Sequence, residues 1–420
     1  MFGLVDANNF YASCQRVFDP SLINKPVVVL SNNDGCIVAR SNEAKALGIQ
    51  MGEPYFKAKP VIEKYGVKVF SSNYELYGDM SSRVMNILAE LAPETEIYSI
   101  DECFLSFPQW PSQHLLSHGK TIRDRVKQWT GIPVSIGLAP TKTLAKAANK
   151  VAKKANGIQL LRETREIDTV LETMDVSDLW GVGRQYAKFL KSNNIHTALQ
   201  LKHAKDGWVK KNLTIVGLRL VYELRGIPCL SLESVAPAKK AICHSRSFPK
   251  NVTLLNDLKA AVANFTARCG EKLRHQGSCA GMLQVFLHTN KFNADKPQYN
   301  SSRTIKLPVA THSTPELIHY ALQALSLLYQ EGYEYKKAGV IVTGIVPKNE
   351  VQLDLFDSVD RARQEILTGV TDTLNSRKGR NTVIVAEQNF PDKNTAWKME
   401  RNYLSPCYTT KWEELWMVTV

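Results

Sequence analysis

The sequence lacks long hydrophobic runs, clustered cysteines and internal repeats. No window approaches the roughly 18 uncharged apolar residues that a membrane-spanning helix requires. The N-terminus has no basic stretch followed by an apolar one, which is the pattern of a secretory signal. The eight cysteines lie far apart, with no C-x-x-C pair and no zinc-ligand spacing, as is typical of reduced packing residues. These absences predict a cytoplasmic protein with no membrane segment.

The 420-residue chain is too long for a single compact core, and its hydrophobic content of 44% predicts several globular domains. Its net charge of +13 favours a polyanionic partner. The positive charge lies on the body of the chain and not on its tail: residues 240–346 carry thirteen Lys or Arg against six Asp or Glu, whereas residues 347–420 carry ten against eleven. This distribution favours nucleic-acid binding, although a solvated basic face would show the same composition.

Short apolar strands alternate with helical patterns in the first part of the chain. Strands are predicted near 2–6, 27–31 and 132–138, a strand pair around 97–107, and a long amphipathic helix over Tyr74–Leu91. This order predicts an α/β sheet with helices packed on one face.

The pattern changes after Arg162, where only short helices are predicted, to about Leu224. Beyond a connector near 231–238, four strands and two helices are predicted between residues 241 and 347. The chain therefore consists of an α/β region, a small helical region and a second α/β region.

Three acidic residues lie where short apolar strands end: Asp6 follows the run at 1–5, and Asp101 and Glu102 interrupt the run Ile97–Phe104. Buried carboxylates need partners, and a divalent cation serves several of them at once. The pattern predicts a phosphoryl-transfer site with two Mg²⁺ ions, although ordinary strand-end or turn acids would look the same. Because adjacent strand residues point to opposite faces, Asp101 and Glu102 can share a site only if a turn or bulge separates them.

Two further segments carry candidate nucleotide contacts. Phe10 and Tyr11 follow Asp6 at a helix start, where the rings could pack beneath a nucleotide sugar and the Tyr could exclude a 2′-hydroxyl. The alternative is that both rings belong to the core. In the helix predicted at 141–155, five lysines recur at about helical spacing, and the C-terminal ones could neutralise a triphosphate. A solvated helix face would give the same spacing.

The segment Leu179–Arg184 is a Gly-x-Gly hairpin that opens a helix. Its backbone N–H groups would be available to a phosphate. It resembles the helix-hairpin-helix element that grips the duplex backbone without contacting the bases. A single G-V-G is weak evidence, but its position between short helices of a basic protein favours DNA binding.

Taken together, these segments resemble the Y-family translesion DNA polymerases of the UmuC type, the type of the catalytic subunit of DNA polymerase V. The resemblance covers essentially the whole chain. It is carried by Asp6–Cys14, Ser31–Lys57, Ser71–Tyr77, Tyr98–Phe104, Ala139–Lys154, Trp180–Arg184, Ser245–Val252 and Leu404–Lys411.

The resemblance implies a multi-domain α/β right-hand polymerase. Its parts would be a palm at 1–25 and 70–165, small fingers at 26–69, a helical thumb with the helix-hairpin-helix at 166–235, an α/β little finger at 240–346, and a C-terminal partner-binding tail at 347–420. The implied activity is error-prone translesion DNA synthesis without proofreading, within SOS-type DNA damage tolerance.

The resemblance also assigns roles to individual residues. Asp6, Asp101 and Glu102 would be catalytic and would hold two Mg²⁺ ions, with the carbonyl of Ala7 as a further ligand. The nucleotide contacts would be Phe10, Tyr11 as the steric gate against ribonucleotides, Lys45 and Lys154. The DNA contacts would be Gly181, Gly183, Arg184 and Arg246.

One departure from the family pattern lies in the fingers helix. Many members have a Tyr–Arg pair where this chain has Asn42 and Lys45. Because Lys offers a point charge in place of a bidentate fork, the grip on the triphosphate is expected to be weaker or rearranged.

The implied partners are primer–template DNA, a dNTP, the sliding clamp, a processed UmuD dimer and RecA. An exposed Q-L-x-L-F sequence resembles the clamp-docking peptide and comprises Gln352, Leu353, Leu355 and Phe356; a short amphipathic helix start is the alternative. The aromatic tail, with Trp397, Tyr403, Tyr408, Trp412 and Trp416, is either a partner surface or a small core.

Two other function classes are compatible with parts of the sequence. A nucleotidyl cyclase can use a similar palm with paired acids, but it needs no helix-hairpin-helix, basic little finger or clamp peptide. A DNA-binding scaffold with decayed acids is disfavoured because all three acids are present.

Overall fold

The computed structural model describes residues 1–235, 237–389 and 397–415, which belong to two compact units. The first unit contains 1–235 and 401–415, and the second contains 237–389 and 397–400. The strands are β1 (Phe2–Ala7), β2 (Val27–Leu30), β3 (Ile37–Arg40), β4 (Lys68–Ser71), β5 (Glu94–Ile97), β6 (Glu102–Ser106), β7 (Val134–Ala139), β8 (Ile158–Leu160), β9 (Ile242–Val252), β10 (Ser278–Thr289), β11 (Asn300–Thr311) and β12 (Tyr335–Pro347).

The helices are α1 (Phe10–Phe18), α2 (Asn42–Ala46), α3 (Tyr55–Lys64), α4 (Tyr74–Leu91), α5 (Ser112–Thr130), α6 (Lys142–Ala152), α7 (Thr164–Thr173), α8 (Arg184–Ser192), α9 (Ala198–Lys202), α10 (Asp206–Leu224), α11 (Leu255–His275), α12 (Thr314–Leu328) and α13 (Arg361–Lys378). No helix of the described residues is both long enough and apolar enough to span a bilayer.

A five-stranded sheet with the order β5-β6-β1-β7-β8 forms the centre of the first unit. The central strand β1 is antiparallel to both β6 and β7. On one face of the sheet, Val5 and Leu105 pack into a core with α4 and α5. On the other face, Leu4 and Phe104 pack against α6. The expectation of helices on one face only was therefore wrong, because strands that are apolar along their whole length bury both faces.

The close packing of α6 on β7 depends on Gly137. A Cβ at this position would lie 2.2 Å from the carbonyl oxygen of Ala145 and 2.2 Å from the backbone nitrogen of Asn149. Only glycine allows this approach. It brings the lysine-bearing face of α6 next to the strand ends that carry the acidic residues.

A second, three-stranded sheet with the order β3-β2-β4 lies in the same unit. The sequence predicted β2 but not β3 or β4, because four-residue strands are too short to show a hydrophobic period. Helix α3 was also missed, since it contains Pro60. Residues 164–224 contain helices α7 to α10 and no strand, as predicted, but α10 has nineteen residues and is longer than the short helices expected.

The second unit is built on an antiparallel sheet with the order β11-β10-β12-β9, packed against α11 and α12. The prediction of four strands and two helices is confirmed for this region. Helix α13 is attached to it by ion pairs of Arg274 with Asp372 and of Arg361 with Glu316. Trp397 is buried in the same core.

The described part of the predicted tail is divided between the two units. Residues 347–389 and 397–400 belong to the second unit, whereas 401–415 belong to the first. Tyr408 stacks on Phe18 with ring centroids 4.8 Å apart, and Trp412 is exposed. Trp416 lies outside the described residues.

Candidate active site

The three acidic residues meet where β1 and β6 run side by side. Asp6 pairs directly with Glu102 in the antiparallel register. The backbone N–H of Ala7 donates to the carbonyl oxygen of Asp101 at 2.8 Å. Facing residues on neighbouring strands have Cβ atoms about 4.5–5.5 Å apart, so the Asp6 and Glu102 side chains are within reach of each other. Asp101 is near enough for its charge to raise the pKa of Asp6.

A tight turn resolves the geometric problem of two consecutive acids. Asp101 lies in the turn before β6, and Glu102 is the first residue of that strand. The Ser99 hydroxyl donates to the Asp101 carboxylate at 2.6 Å and accepts the backbone N–H of Glu102 at 3.0 Å. The strict alternation of a strand therefore does not apply between Asp101 and Glu102.

Lys146 of α6 and Lys153, the C-cap residue that follows α6, neutralise two of the carboxylates. The Lys153 ammonium donates to Asp6 at 2.6 Å, and the Lys146 ammonium donates to both oxygens of Glu102 at 2.9 and 3.1 Å. Lys146 and Lys153 are seven residues apart, or about two helical turns, so they lie on the same side of the helix. A cavity of about 330 Å³ opens beside these four side chains and Trp180.

Asp6 is only 8% exposed. Its burial disfavours the charged form of the carboxyl group. Burial raises the pKa of Asp6 to about 6; the Lys153 ammonium opposes this effect, and the neighbouring Glu102 and Asp101 charges add to it. A perturbed carboxylate among further acids, beside a cavity, is a candidate catalytic group.

The donor set fits a hard divalent cation, since it consists of carboxylate oxygens. Within the described ranges, however, no three His, Cys, Asp or Glu side chains are already arranged around a common ion position. The present arrangement places lysine ammonium groups on Asp6 and Glu102 instead. An ion bound there would take over the neutralisation that these lysines provide.

The aromatic pair after Asp6 divides into one core ring and one half-buried ring. Phe10 is 4% exposed and packs in the core, so its contact with a nucleotide stays a prediction. Tyr11 stacks on Tyr77 with centroids 4.3 Å apart and an interplanar angle of 12°. The ring of Tyr74 meets Tyr11 edge-on at 6.2 Å.

The predicted triphosphate contacts differ in their surroundings. Lys45 on α2 donates to the side chain of Asn9 at 2.5 Å, and Asn9 donates to Asn42 at 3.0 Å. Burial lowers the pKa of Lys45, and the charges of Arg40 and Lys153 lower it further. Lys154 is exposed beyond the end of α6.

The hairpin before α8 has the geometry that its glycines predict. Gly181 has φ +93°, and Gly183 is the N-cap residue of α8. The Trp180 indole N–H donates to the Tyr98 hydroxyl at 3.1 Å, which ties the hairpin to the turn before Asp101. Arg184 is exposed on the first turn of α8.

The remaining predicted contacts lie in the second unit. Arg246 is on β9, opposite Ala338 of β12. The segment at 352–356 has no regular helix or strand, and Leu355 and Phe356 are 98% and 92% exposed.

Comparison with known proteins decides the family. Family models described as the impB/mucB/samB family and its C-terminal domain match residues 5–150 and 239–355, and a domain of unknown function (DUF4113) matches 365–418. The UmuC protein of Salmonella typhimurium is 42% identical over 421 residues, which cover 99% of each chain. The chain belongs to this family.

Other members and related proteins agree with the assignment to this UmuC-type family. MucB of Escherichia coli is 40% identical over 425 residues and the full length of both chains. DNA polymerase IV 1 of Bacillus subtilis is 28% identical over 386 residues, covering 90% of this chain and 91% of its own.

Solved structures confirm the predicted fold class. A Y-family DNA polymerase chimera superposes with a TM-score of 0.67 at 20% identity, covering 82% of this chain and 99% of its own. DinB of Sulfolobus solfataricus superposes with a TM-score of 0.52 at 21% identity, covering 82% and 98%. The UmuC-type chain therefore has the fold of a Y-family polymerase.

Several site residues of this UmuC-type chain have partners that the sequence did not indicate. The C-terminal lysines of the helix predicted at 141–155 were assigned to a triphosphate, whereas Lys153, like Lys146, contacts a carboxylate. Their seven-residue spacing was the available signal. The stacking of Tyr11 on Tyr77 left no signal, because these residues are 66 positions apart and meet only in the folded chain.

Proposed function

We propose that this DNA-directed DNA polymerase carries out error-prone translesion synthesis, by template-directed nucleotidyl transfer to a primer 3′-hydroxyl, within an SOS-type response to DNA damage. Family membership supports the polymerase activity. The observation that carries the catalytic assignment is the register of Asp6 with Glu102, with Asp101 in the adjoining turn.

Asp6, Asp101 and Glu102 would hold two Mg²⁺ ions, with the carbonyl of Ala7 as a further ligand. When bound, such ions lower the pKa of the attacking hydroxyl and stabilise the charge on the phosphates. The fixed turn at Ser99 orients the Asp101 carboxylate before any ligand arrives. This preorganisation lowers the cost of assembling the site.

Tyr11 would act as the steric gate that excludes a ribonucleotide. Its ring is held by the stack on Tyr77, so it cannot easily move aside for a 2′-hydroxyl. Phe10, Lys45 and Lys154 complete the proposed nucleotide contacts. Lys45 is already hydrogen-bonded to Asn9, which supports a position at the edge of the same pocket.

Primer–template DNA would be held by Gly181, Gly183, Arg184 and Arg246. The exposed hairpin N–H groups and the excess of basic residues at 240–346 support this assignment. In addition, the exposed segment at 352–356 supports docking to a sliding clamp. A processed UmuD dimer and RecA are proposed as further partners by family resemblance.

Primer extension tests the proposal. On an undamaged template, Asp101→Asn is expected to lower the single-turnover rate at least about a thousandfold, because loss of a metal-binding charge removes transition-state stabilisation. The control is Asp79→Asn, which removes a surface carboxylate that pairs with Arg83 and should leave the rate nearly unchanged.

A template with an abasic site tests the translesion part of the proposal. Extension past the lesion is expected from the chain assayed with UmuD dimer, RecA and clamp, and its dependence on each is measured by omission. Unchanged synthesis by Asp101→Asn would refute the catalytic assignment. Synthesis that always stops at the lesion would refute translesion activity alone.

A further inference from the structure

The segment 401–415, here named the return segment, follows the second unit in sequence but packs on the first. The Asn402 N–H donates to the Asp34 carboxylate at 2.7 Å, and the Tyr403 N–H donates to the Ser71 hydroxyl at 3.0 Å. The Ser71 N–H donates in turn to the carbonyl oxygen of Tyr403 at 2.9 Å. The return segment is thus hydrogen-bonded to the end of β4, immediately before α4.

Ser405 of the return segment is connected to the Tyr11 stack by a chain of hydrogen bonds. The side-chain amide of Gln15 donates to the Ser405 hydroxyl at 3.0 Å and to the Tyr77 hydroxyl at 2.9 Å. Tyr77 is the residue on which Tyr11 stacks. One residue near the end of the chain is therefore three contacts away from the proposed sugar gate.

A second connection runs through the start of α4, the helix that carries Tyr74 and Tyr77. Asn73 caps this helix by accepting the Leu76 N–H at 3.2 Å. Its side-chain amide donates to the carbonyl oxygen of Ser405 at 3.0 Å, to the Ser405 hydroxyl at 3.2 Å and to the carbonyl oxygen of Pro406 at 3.2 Å. The return segment therefore fixes both the helix start and a tyrosine one turn further along.

The groups that form these connections are buried. Gln15 is 2% exposed and Ser405 is 5% exposed, and Asn73 and Tyr77 are also buried. Removing one partner of such a buried hydrogen bond destabilises the folded state, because no water replaces the lost bond. The network is therefore stiff only while the return segment is in place.

We infer that the return segment, through Ser405, is a positioning element for sugar selection: it holds Gln15 and Tyr77 so that the Tyr11 ring stays against the nucleotide sugar. This inference rests on the proposed role of Tyr11 as the gate. It gives part of the region that matches a domain of unknown function, residues 365–418, a specific task in this chain. Loss of the Ser405 hydroxyl frees Tyr77 and lets Tyr11 tilt, which admits a 2′-hydroxyl.

The test compares kcat/KM for dCTP and CTP opposite a template guanine, using the full chain. Ser405→Ala is expected to raise CTP incorporation and leave dCTP incorporation unchanged, so that discrimination falls about three- to tenfold, the effect of one buried hydrogen bond. Ser405→Thr keeps the hydroxyl and should restore discrimination. Tyr77→Phe keeps the ring but lacks the hydroxyl, and should reproduce the loss.

The matched control is Tyr403→Phe. It removes a hydroxyl from the same segment. That hydroxyl contacts the Tyr55 hydroxyl at 3.1 Å and is not part of the chain of hydrogen bonds from Ser405 to Tyr77. This variant should discriminate like the wild type. A general loosening of the fold would instead lower dCTP incorporation, which separates positioning from stability.

Tyr11→Ala distinguishes failure of the inference from failure of the gate itself. If Tyr11→Ala abolishes discrimination while Ser405→Ala and Tyr77→Phe keep it within twofold of wild type, the inference is overturned and the gate stands. If Tyr11→Ala discriminates like the wild type, both are overturned. If Ser405→Ala does not fold, Ser405→Cys, which has the same shape with a slightly larger atom that accepts hydrogen bonds weakly, takes its place with the same expected loss.

Discussion

At the residue scale, two opposing effects determine the pKa of Asp6. Its burial favours the neutral carboxylic acid, whereas the Lys153 ammonium favours the carboxylate. Burial is the larger effect, since the pKa is raised to about 6 despite an ion pair at 2.6 Å. The residue is therefore unfavourable for the metal-free fold, as expected of a group kept for function.

This imbalance predicts a pH-dependent effect of Asp6→Asn on stability. The pKa of Asp6 is higher in the folded chain than its ordinary value of 3.8, so protonation of this group stabilises the folded state. This stabilisation is fully present below about pH 3.8 and is lost as the pH rises through 6. With EDTA at pH 7.5, Asp6→Asn should unfold about 2 °C or more above the wild type. The difference should shrink towards pH 4 in calorimetric scans.

Magnesium provides the control for this prediction. Addition of Mg²⁺ at pH 7.5 should stabilise the wild type and not Asp6→Asn, since binding requires the carboxylate. Equal unfolding temperatures for the two metal-free proteins at pH 7.5 would contradict the raised pKa.

At the residue scale, the sequence predicted which side chains belong together but not what they contact. The position of Asp6, Asp101 and Glu102 at strand ends followed from the hydrophobic pattern, and the turn between the last two was recognised as a requirement. The partners Lys146 and Lys153 depend on how closely α6 packs on the sheet. That distance is set by Gly137 and is not apparent from helical spacing.

At the scale of elements, the two glycines of the hairpin before α8 differ in role. One is required by the backbone conformation, whereas the other is available to contact DNA. Gly181 has φ +93°, a conformation that strains any other residue. Gly183 has φ −78°, and a Cβ there would meet no atom within 4 Å. Position 183 is therefore suited to probing DNA contact with little disturbance of the fold.

Gly183→Ala is expected to weaken binding of duplex DNA about three- to tenfold, because the added methyl group keeps a phosphate from the backbone N–H groups. The cost to folding should stay below about 1 kcal/mol, the scale of a changed N-cap. Fluorescence anisotropy with labelled DNA measures the affinity. Gly207→Ala, in α10 with equally open surroundings, is the control; equal affinities for both variants would argue against a phosphate contact.

Helix α4 was predictable from the sequence, whereas strands β3 and β4 were not. Helix α4 has the predicted bounds, because its eighteen residues give several turns of periodic pattern. Strands β3 and β4 have four residues each, which is too few for a period to emerge. They form a sheet through pairing with β2, which is a tertiary effect.

At the scale of the whole molecule, the predicted domain boundaries stay predictions, but the path of the chain adds information. The tail was expected as one partner-binding region from 347 to 420. The structure instead assigns 401–415 to the first unit and the described residues of 347–400 to the second. Long-range return of this kind leaves no periodic trace in a sequence.

The exposed segment at 352–356 offers a prediction about a partner of the whole protein. Replacing both Leu355 and Phe356 by Ala should weaken binding to a bacterial sliding clamp on the order of 30-fold or more, as expected for two apolar anchors. Because both side chains are almost fully exposed, thermal unfolding should not change. Surface plasmon resonance with immobilised clamp measures the affinity.

Leu327→Ala, which removes an exposed apolar side chain from α12, is the matched control for clamp binding. It should bind like the wild type. If the double variant also binds like the wild type, the segment is not the clamp-docking peptide.

The most direct measurement for the account as a whole counts bound metal ions. Mn²⁺, monitored by electron paramagnetic resonance, is added to the complex of the chain with primer–template DNA and a non-hydrolysable dNTP. The wild type should bind two ions, whereas the triple variant Asp6→Asn, Asp101→Asn, Glu102→Gln should retain at most the one that the nucleotide phosphates carry. Two ions on the triple variant would contradict the assignment of these carboxylates as the metal ligands.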